Sequence, residues 1–131
     1  LPGDAASIKL SGYKGKVVYV DFWASWCGPC KESFPWLNEM QAKYGAKGFQ
    51  VVGINVDAKT DDAKTFLKQV PAKFTVAYDD KGLTPKQFGI KGMPSSVLID
   101  ANGKVIAQHT GFRDADKAQL EQSIQQALTS K

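Results

Sequence analysis

Cys27 and Cys30 are the only thiols in a chain of 131 residues, and they sit two residues apart in "WCGPC". A Cys-x-x-Cys pair supports four kinds of chemistry: a structural staple, half of a metal site, a haem attachment point or a redox couple. A staple works through the loop it closes, and this loop is too short to constrain an unfolded chain. Structural zinc takes four ligands, and the chain adds one distant histidine, His109. A site completed by a carboxylate or a partner chain would be asymmetric. Haem attachment of the c type needs a histidine directly after the second cysteine, where this chain has Lys31. Neither a metal nor a bound cofactor is expected.

The redox reading accounts for the neighbours. "KVVYVDFWA", residues 16–24, is the apolar, β-branched and aromatic run of a strand buried on both faces. Gly28 and Pro29 then lead into a helical pattern. Cys27 therefore falls at a helix N-terminus, where unpaired N–H groups and the positive dipole end favour a thiolate. Its pKa should lie below the free value of about 8.5. Pro29 suits the first turn, where a missing N–H is no loss. Cys30 shares the helix face with Cys27 and is close enough to bridge to it. Being the more buried of the two, it would resolve a mixed disulfide formed by Cys27. A chance pair of buried cysteines is the plainer alternative.

The elements that must hold this pair follow from periodicity. Phe34, Leu37, Met40 or Gln41, and Tyr44 recur at helical spacing, Pro35 inside that helix should remove a hydrogen bond and kink its axis, and Gly45 and Gly48 end it. "FQVVGINVD", residues 49–57, is a second buried strand, which makes a parallel β-α-β unit with a right-handed crossover. Thr60 is read as the cap of a helix carrying Ala63, Phe66, Leu67 and Val70. "KFTVAYD" is strand-like, residues 7–10 are read as a short strand, and 82–90 as a helical turn. "SSVLID" and "KVIAQHT" flank Asn102-Gly103, a hairpin signal that makes them antiparallel. Residues 114–129 form a closing amphipathic helix with Asp114 as cap. The expectation is one α/β domain over 1–131, a central mixed sheet with helices on both faces.

Composition narrows the function classes. The net charge is +4, but the lysines are scattered rather than gathered in a stripe, so nucleic acid is not an expected partner. No apolar run approaches the roughly 18 residues of a membrane span. The chain opens on Leu1 rather than methionine, so an N-terminal segment is expected to have been removed, a signal peptide or membrane anchor being one form it could take.

"DFWASWCGPCK", Pro35 soon after it, and the later "GMPSSVLID" resemble the thioredoxin superfamily, over nearly the whole chain. The helix and strand added between the second strand and "GMPSS", with the "GKVVYVDFWASWCGPCKESFP" start, are similar to the TlpA/ResA-like branch of extracytoplasmic thiol–disulfide oxidoreductases. The resemblance implies a thioredoxin-like fold with that one insertion. It implies Cys27 as attacking and Cys30 as resolving cysteine, with the redox-active disulfide in place of a cofactor. Asp21 matches a buried carboxylate beneath the resolving cysteine, where burial would raise its pKa and let it exchange a proton with Cys30; an acid facing solvent at a strand end is the alternative. Trp26 matches a flat apolar platform beside the pair, whereas Trp23 reads as core. Pro94 matches the family's cis-proline, which would leave the Met93 backbone free to pair with a substrate strand. Gly28 and Pro29 complete the substrate-facing surface.

What the resemblance implies for function is a monomeric reductase of protein disulfides, periplasmic or anchored facing the periplasm. It would be recharged by an upstream membrane thiol reductant, with cytochrome c maturation as one setting. A thiol peroxidase of the same fold would carry proline where this chain has Val20, and threonine or serine where it has Ala24. A non-catalytic binding module is the other alternative. The chain departs from both relatives in two places. Gly53 stands where thioredoxins pair the aspartate with a lysine, and Ser33, with Glu32 one place earlier, stands where ResA-like proteins carry a glutamate. His109, before "TGFRD", reads as structural rather than catalytic.

Overall fold

The computed structural model describes residues 13, 15–57, 59–79, 95–111 and 114–129, apart from the side chain of Asp114. The strands are β1 (Val17–Trp23), β2 (Phe49–Asn55), β3 (Thr75–Tyr78), β4 (Ser95–Ile99) and β5 (Val105–Thr110). The helices are α1 (Gly28–Tyr44), α2 (Thr60–Gln69) and α3 (Asp114–Thr129). One mixed sheet runs β3-β2-β1-β4-β5. β1 pairs parallel with β2 and β2 with β3, whereas β4 runs antiparallel to both β1 and β5. This is an α/β chain with the thioredoxin-like arrangement and the added α2–β3 segment.

β1 is central and buried along its whole length, as its unbroken apolar run requires. Its side chains alternate between two cores. Tyr19 and Trp23 join the face packed by α1, α2 and α3, with Phe34, Leu37, Ala63, Phe66 and Ile124. Val18, Val20 and Phe22 point the other way, joining Val52, Ile54, Ala77, Val97 and Ile99. The first core holds an aromatic block in which Phe34 touches Trp23, Phe66 and Phe74 edge-on at 5.0, 5.3 and 5.2 Å between ring centroids. Such edge-to-face pairs add about 1 kcal/mol each beyond their buried area.

α1 continues through the exposed Pro35 to Tyr44. Gly48, at φ 90°, turns the chain into β2 in a left-handed conformation that a β-carbon would strain. Two capping readings change. Thr60 does not cap α2; it is the first helical residue, and the flanking position is the extended Lys59, which has no side-chain capping bond. Asp61 and Asp62 face the positive helix end instead. In the β4–β5 hairpin only Gly103 takes a positive φ, 85°. Gly103 N–H donates to Asp100 O at 3.0 Å, and the Asp100 carboxylate accepts from the N–H groups of Asn102 and Lys104. The turn is built on Asp100 as much as on Asn102-Gly103. α3 likewise starts at Asp114 itself. Residues 7–10 and 82–90 lie outside the described residues, as do Met93 and Pro94. Among the described residues, no helix is long and apolar enough to cross a membrane.

Candidate functional site

β1 ends at Trp23, three residues turn, and Cys27 becomes the N-cap of α1. Its backbone is extended (φ −92°, ψ 105°), and its sulfur accepts from Cys30 N–H at 3.3 Å. Helix propagation therefore begins at the redox motif, because Gly28 and Pro29 occupy the first turn where N–H groups lack internal partners. Cys27 and Cys30 form a disulfide, with Cα atoms 5.3 Å apart. The asymmetry expected between them is present: Cys27 keeps a 5 % exposed edge and Cys30 has none. Gly28 and Pro29 are exposed, and Trp26 is 69 % exposed. Trp23 is fully buried.

The turn that carries the cysteines is held by a residue outside the motif. Asp57, buried just past β2, accepts from Ser25 N–H and from Ser25 Oγ, both at 2.8 Å. Asn55 Nδ2 donates to the same carboxylate at 2.8 Å, and Asp57 N–H donates back to Asn55 Oδ1. A buried carboxylate needs such donors. Here they come from two segments, so the end of β2 fixes the loop before Cys27. Sequence reading missed Asp57, whose one signal was an acid ending a buried apolar strand.

Asp21 lies mid-strand and 4 % exposed, not at a solvent-facing strand end. It shares the α1 face of β1 with Tyr19 and Trp23, and that face meets Trp36 and Phe34 of α1. The carboxyl thus sits under the helix whose inner face carries Cys30. Burial pushes its pKa up to about 8. Its Oδ2 is buried and has no hydrogen-bond partner among the described residues.

Its neighbours explain both departures noted in the sequence. Gly53 is the partner of Asp21 across the parallel pair. A β-carbon there would lie 2.7 Å from Phe74 Cε1 and 3.1 Å from Trp23 Nε1. The aromatic block fills the space a lysine would need. Ser33 is buried on α1, but its hydroxyl donates to Cys30 O at 2.8 Å, which ties it to the helix backbone. Glu32 is exposed. His109 Nε2 lies 3.1 Å from Asp116 Oδ2, joining β5 to α3. Among the described residues no cluster of His, Cys, Asp and Glu could hold a metal ion.

A disulfide-bonded Cys-x-x-Cys pair at a helix N-terminus, on this sheet, is a recognisable assembly. The Redoxin family model matches residues 1–124. The chain belongs to the Redoxin family, among its ResA-like thiol–disulfide oxidoreductases. It is 38% identical over 121 residues to the thiol-disulfide oxidoreductase ResA of Bacillus thuringiensis subsp. konkukian, covering 92% of this chain and 69% of that protein. A crystal structure from Chlorobium tepidum, described as a thiol:disulfide interchange protein DsbE, superposes with a TM-score of 0.96. It is 67% identical and covers 98% of this chain and 91% of that one. The exposed lipoprotein thioredoxin of Streptococcus pneumoniae is 30% identical with a TM-score of 0.82, over 95% of each chain.

Proposed function

We propose that this thiol–disulfide oxidoreductase works as a reductant of protein disulfides outside the cytoplasm. The observation that carries the reading is the asymmetric pair at the start of α1: Cys27 on the rim beside exposed Trp26, Cys30 fully enclosed. In the reduced protein the Cys27 thiolate attacks one sulfur of a substrate disulfide. That S–S bond breaks, a mixed disulfide forms, and the departing substrate sulfur takes up a proton. Asp21 in its carboxylate form, populated as pH rises toward about 8, then takes the proton of Cys30, and the Cys30 thiolate attacks Cys27 Sγ. The second substrate sulfur leaves, the Cys27–Cys30 bond re-forms, and two electrons have moved to the substrate.

The cycle uses the chain's own disulfide and no bound cofactor. An upstream membrane thiol reductant would restore the dithiol, and the chain would act as a monomer. Trp26, Gly28 and Pro29 are the exposed surface around Cys27, with Met93 and Pro94 as backbone partners for a substrate strand. The pneumococcal likeness supports an extracytoplasmic setting, and the apocytochrome c cysteines are one substrate pair of suitable chemistry.

The test is mechanism-based trapping. Cys30→Ser, reduced and mixed with a disulfide-bonded protein, should accumulate a covalent complex through Cys27 that dithiothreitol releases. Cys27→Ser should form none. Insulin reduction by dithiothreitol should accelerate with the unaltered chain alone. Trapping through Cys30, or insulin reduction unchanged by the protein, would refute the reading.

A further inference from the structure

The lysine side of Asp21 is closed by Gly53, Trp23 and Phe74, but its other side is not. Across the antiparallel pairing Asp21 stands directly opposite Ser96 on β4. Cross-strand partners share a sheet face, with Cβ atoms about 5 Å apart. Ser96 is buried, and its Oγ accepts from the Tyr19 hydroxyl at 2.9 Å. A serine that accepts in this way still has its own O–H to donate. Facing it, Asp21 Oδ2 is a buried acceptor with no donor among the described residues.

Beyond these hydroxyls a cleft of about 90 Å³ opens between the β4–β5 hairpin and α3. Tyr19, Ser96, His109, Gln119 and Ser123 line it. That is room for several waters, with enough polar partners to hold them. His109 and Asp116 pair at 3.1 Å beside it, both part-shielded. Among the described residues, Tyr19 shares the strand face with Asp21, Cys30 lies on α1 above that face, and His109, opposite Ser96, and its partner Asp116 stand at the cleft beyond it. β2 and β4 contribute Gly53 and Ser96, which carry no charge.

We propose that Asp21 exchanges its proton with solvent on the β4 side, through the hydroxyls of Ser96 and Tyr19 and the polar cleft that His109 borders. Hydroxyls suit this role because each can accept and donate by rotation. Burial holds the Tyr19 pKa above its ordinary value, aided by the charges of Asp21 and Asp116, so the phenol keeps its proton as a donor. Ser96 and Tyr19 act as positioning residues for the carboxyl. The inference rests on the reading of Asp21 as the proton partner of Cys30.

The experiment follows the Asp21 carboxyl carbon by NMR against pH in the oxidised protein. Ser96→Ala should raise the midpoint by about 0.5 or more, because the carboxylate loses the polar hydroxyl opposite it on β4. Ser96→Thr keeps the hydroxyl and should restore the original midpoint. Tyr19→Phe should move it in the same direction by less. Trp23→Phe removes the other partnerless donor nearby and should leave it in place. In stopped-flow assays, mixed-disulfide resolution by Ser96→Ala should slow about threefold or more and recover in Ser96→Thr. An unmoved midpoint in Ser96→Ala, or one moved by Trp23→Phe instead, overturns the proposal. If Ser96→Ala does not fold, Tyr19→Phe and Ser96→Thr carry the same test. Asp21→Asn separates the underlying reading: an unchanged pH profile of resolution would refute Asp21 as proton partner while leaving the Ser96 titration readable.

Discussion

Asp21 and Gly53 are direct partners across the parallel β1–β2 pair, and the glycine is there because Phe74 and Trp23 occupy the space above it. The carboxyl consequently has an aromatic wall where a cation could have stood. The loss of a positive partner and the packing of the core are one arrangement.

Gly53→Ala should therefore destabilise the oxidised protein by about 1–3 kcal/mol, the usual range for overpacking a filled core. The new methyl would press on Phe74, so Phe74→Leu should recover part of the loss. Urea unfolding of the two variants and their combination measures both effects. A change in Gly53→Ala of under about 0.5 kcal/mol would mean the block yields easily.

Asp21 gives stability a pH dependence of unusual sign. Its folded pKa, about 8, lies above the ordinary 3.8, so the folded chain holds a proton that the unfolded chain releases. Stability is then greatest below the unfolded value and falls as pH rises from about 4 through 8. Each pH unit inside that window is worth up to about 1.4 kcal/mol. Asp21→Asn should flatten this slope and exceed the parent in stability at pH 9, with little advantage at pH 4. Unfolding midpoints of the oxidised proteins at several pH values decide it; parallel slopes for both would contradict the burial argument.

Asp57 should matter to exchange although it touches neither sulfur. Asp57→Ala leaves Ser25 N–H, Ser25 Oγ and Asn55 Nδ2 without their acceptor. A stability loss of about 2–4 kcal/mol is expected, because buried donors are left unpaired. Ser25→Ala removes one bond only and should lose about 1 kcal/mol. Insulin-reduction rates should fall in the same order, with Asp57→Ala well below Ser25→Ala. Equal rates for both variants and the parent would show that the turn keeps its shape unaided.

The cysteine pair, the parallel β-α-β unit, the antiparallel hairpin and the burial of Asp21 were legible in the sequence, because each rests on local pattern. Val17 to Trp23 is one apolar run, which favoured a buried acid over one facing solvent at a strand end. Gly53 could be matched to Asp21 by counting along two strands, but the reason for the glycine could not, since Phe74 arrives from a later segment. Asp57 escaped notice because its bond partner Ser25 is 32 residues away, and a carboxylate after a strand reads as solvent-facing. Thr60 misled because a good capping residue one position late joins the first turn instead. The Tyr19, Ser96 and His109 grouping draws on three strands and has no signature in any one of them.

The redox disulfide is almost hidden while the indole next to it stands in the open. Small thiols that meet this chain by random collision find little sulfur to strike. A large partner that first rested on Trp26, as proposed above, would be held within reach of the exposed edge of Cys27. Exchange at Cys27 should therefore be faster with a protein that dwells on Trp26 than with a small thiol of the same reactivity.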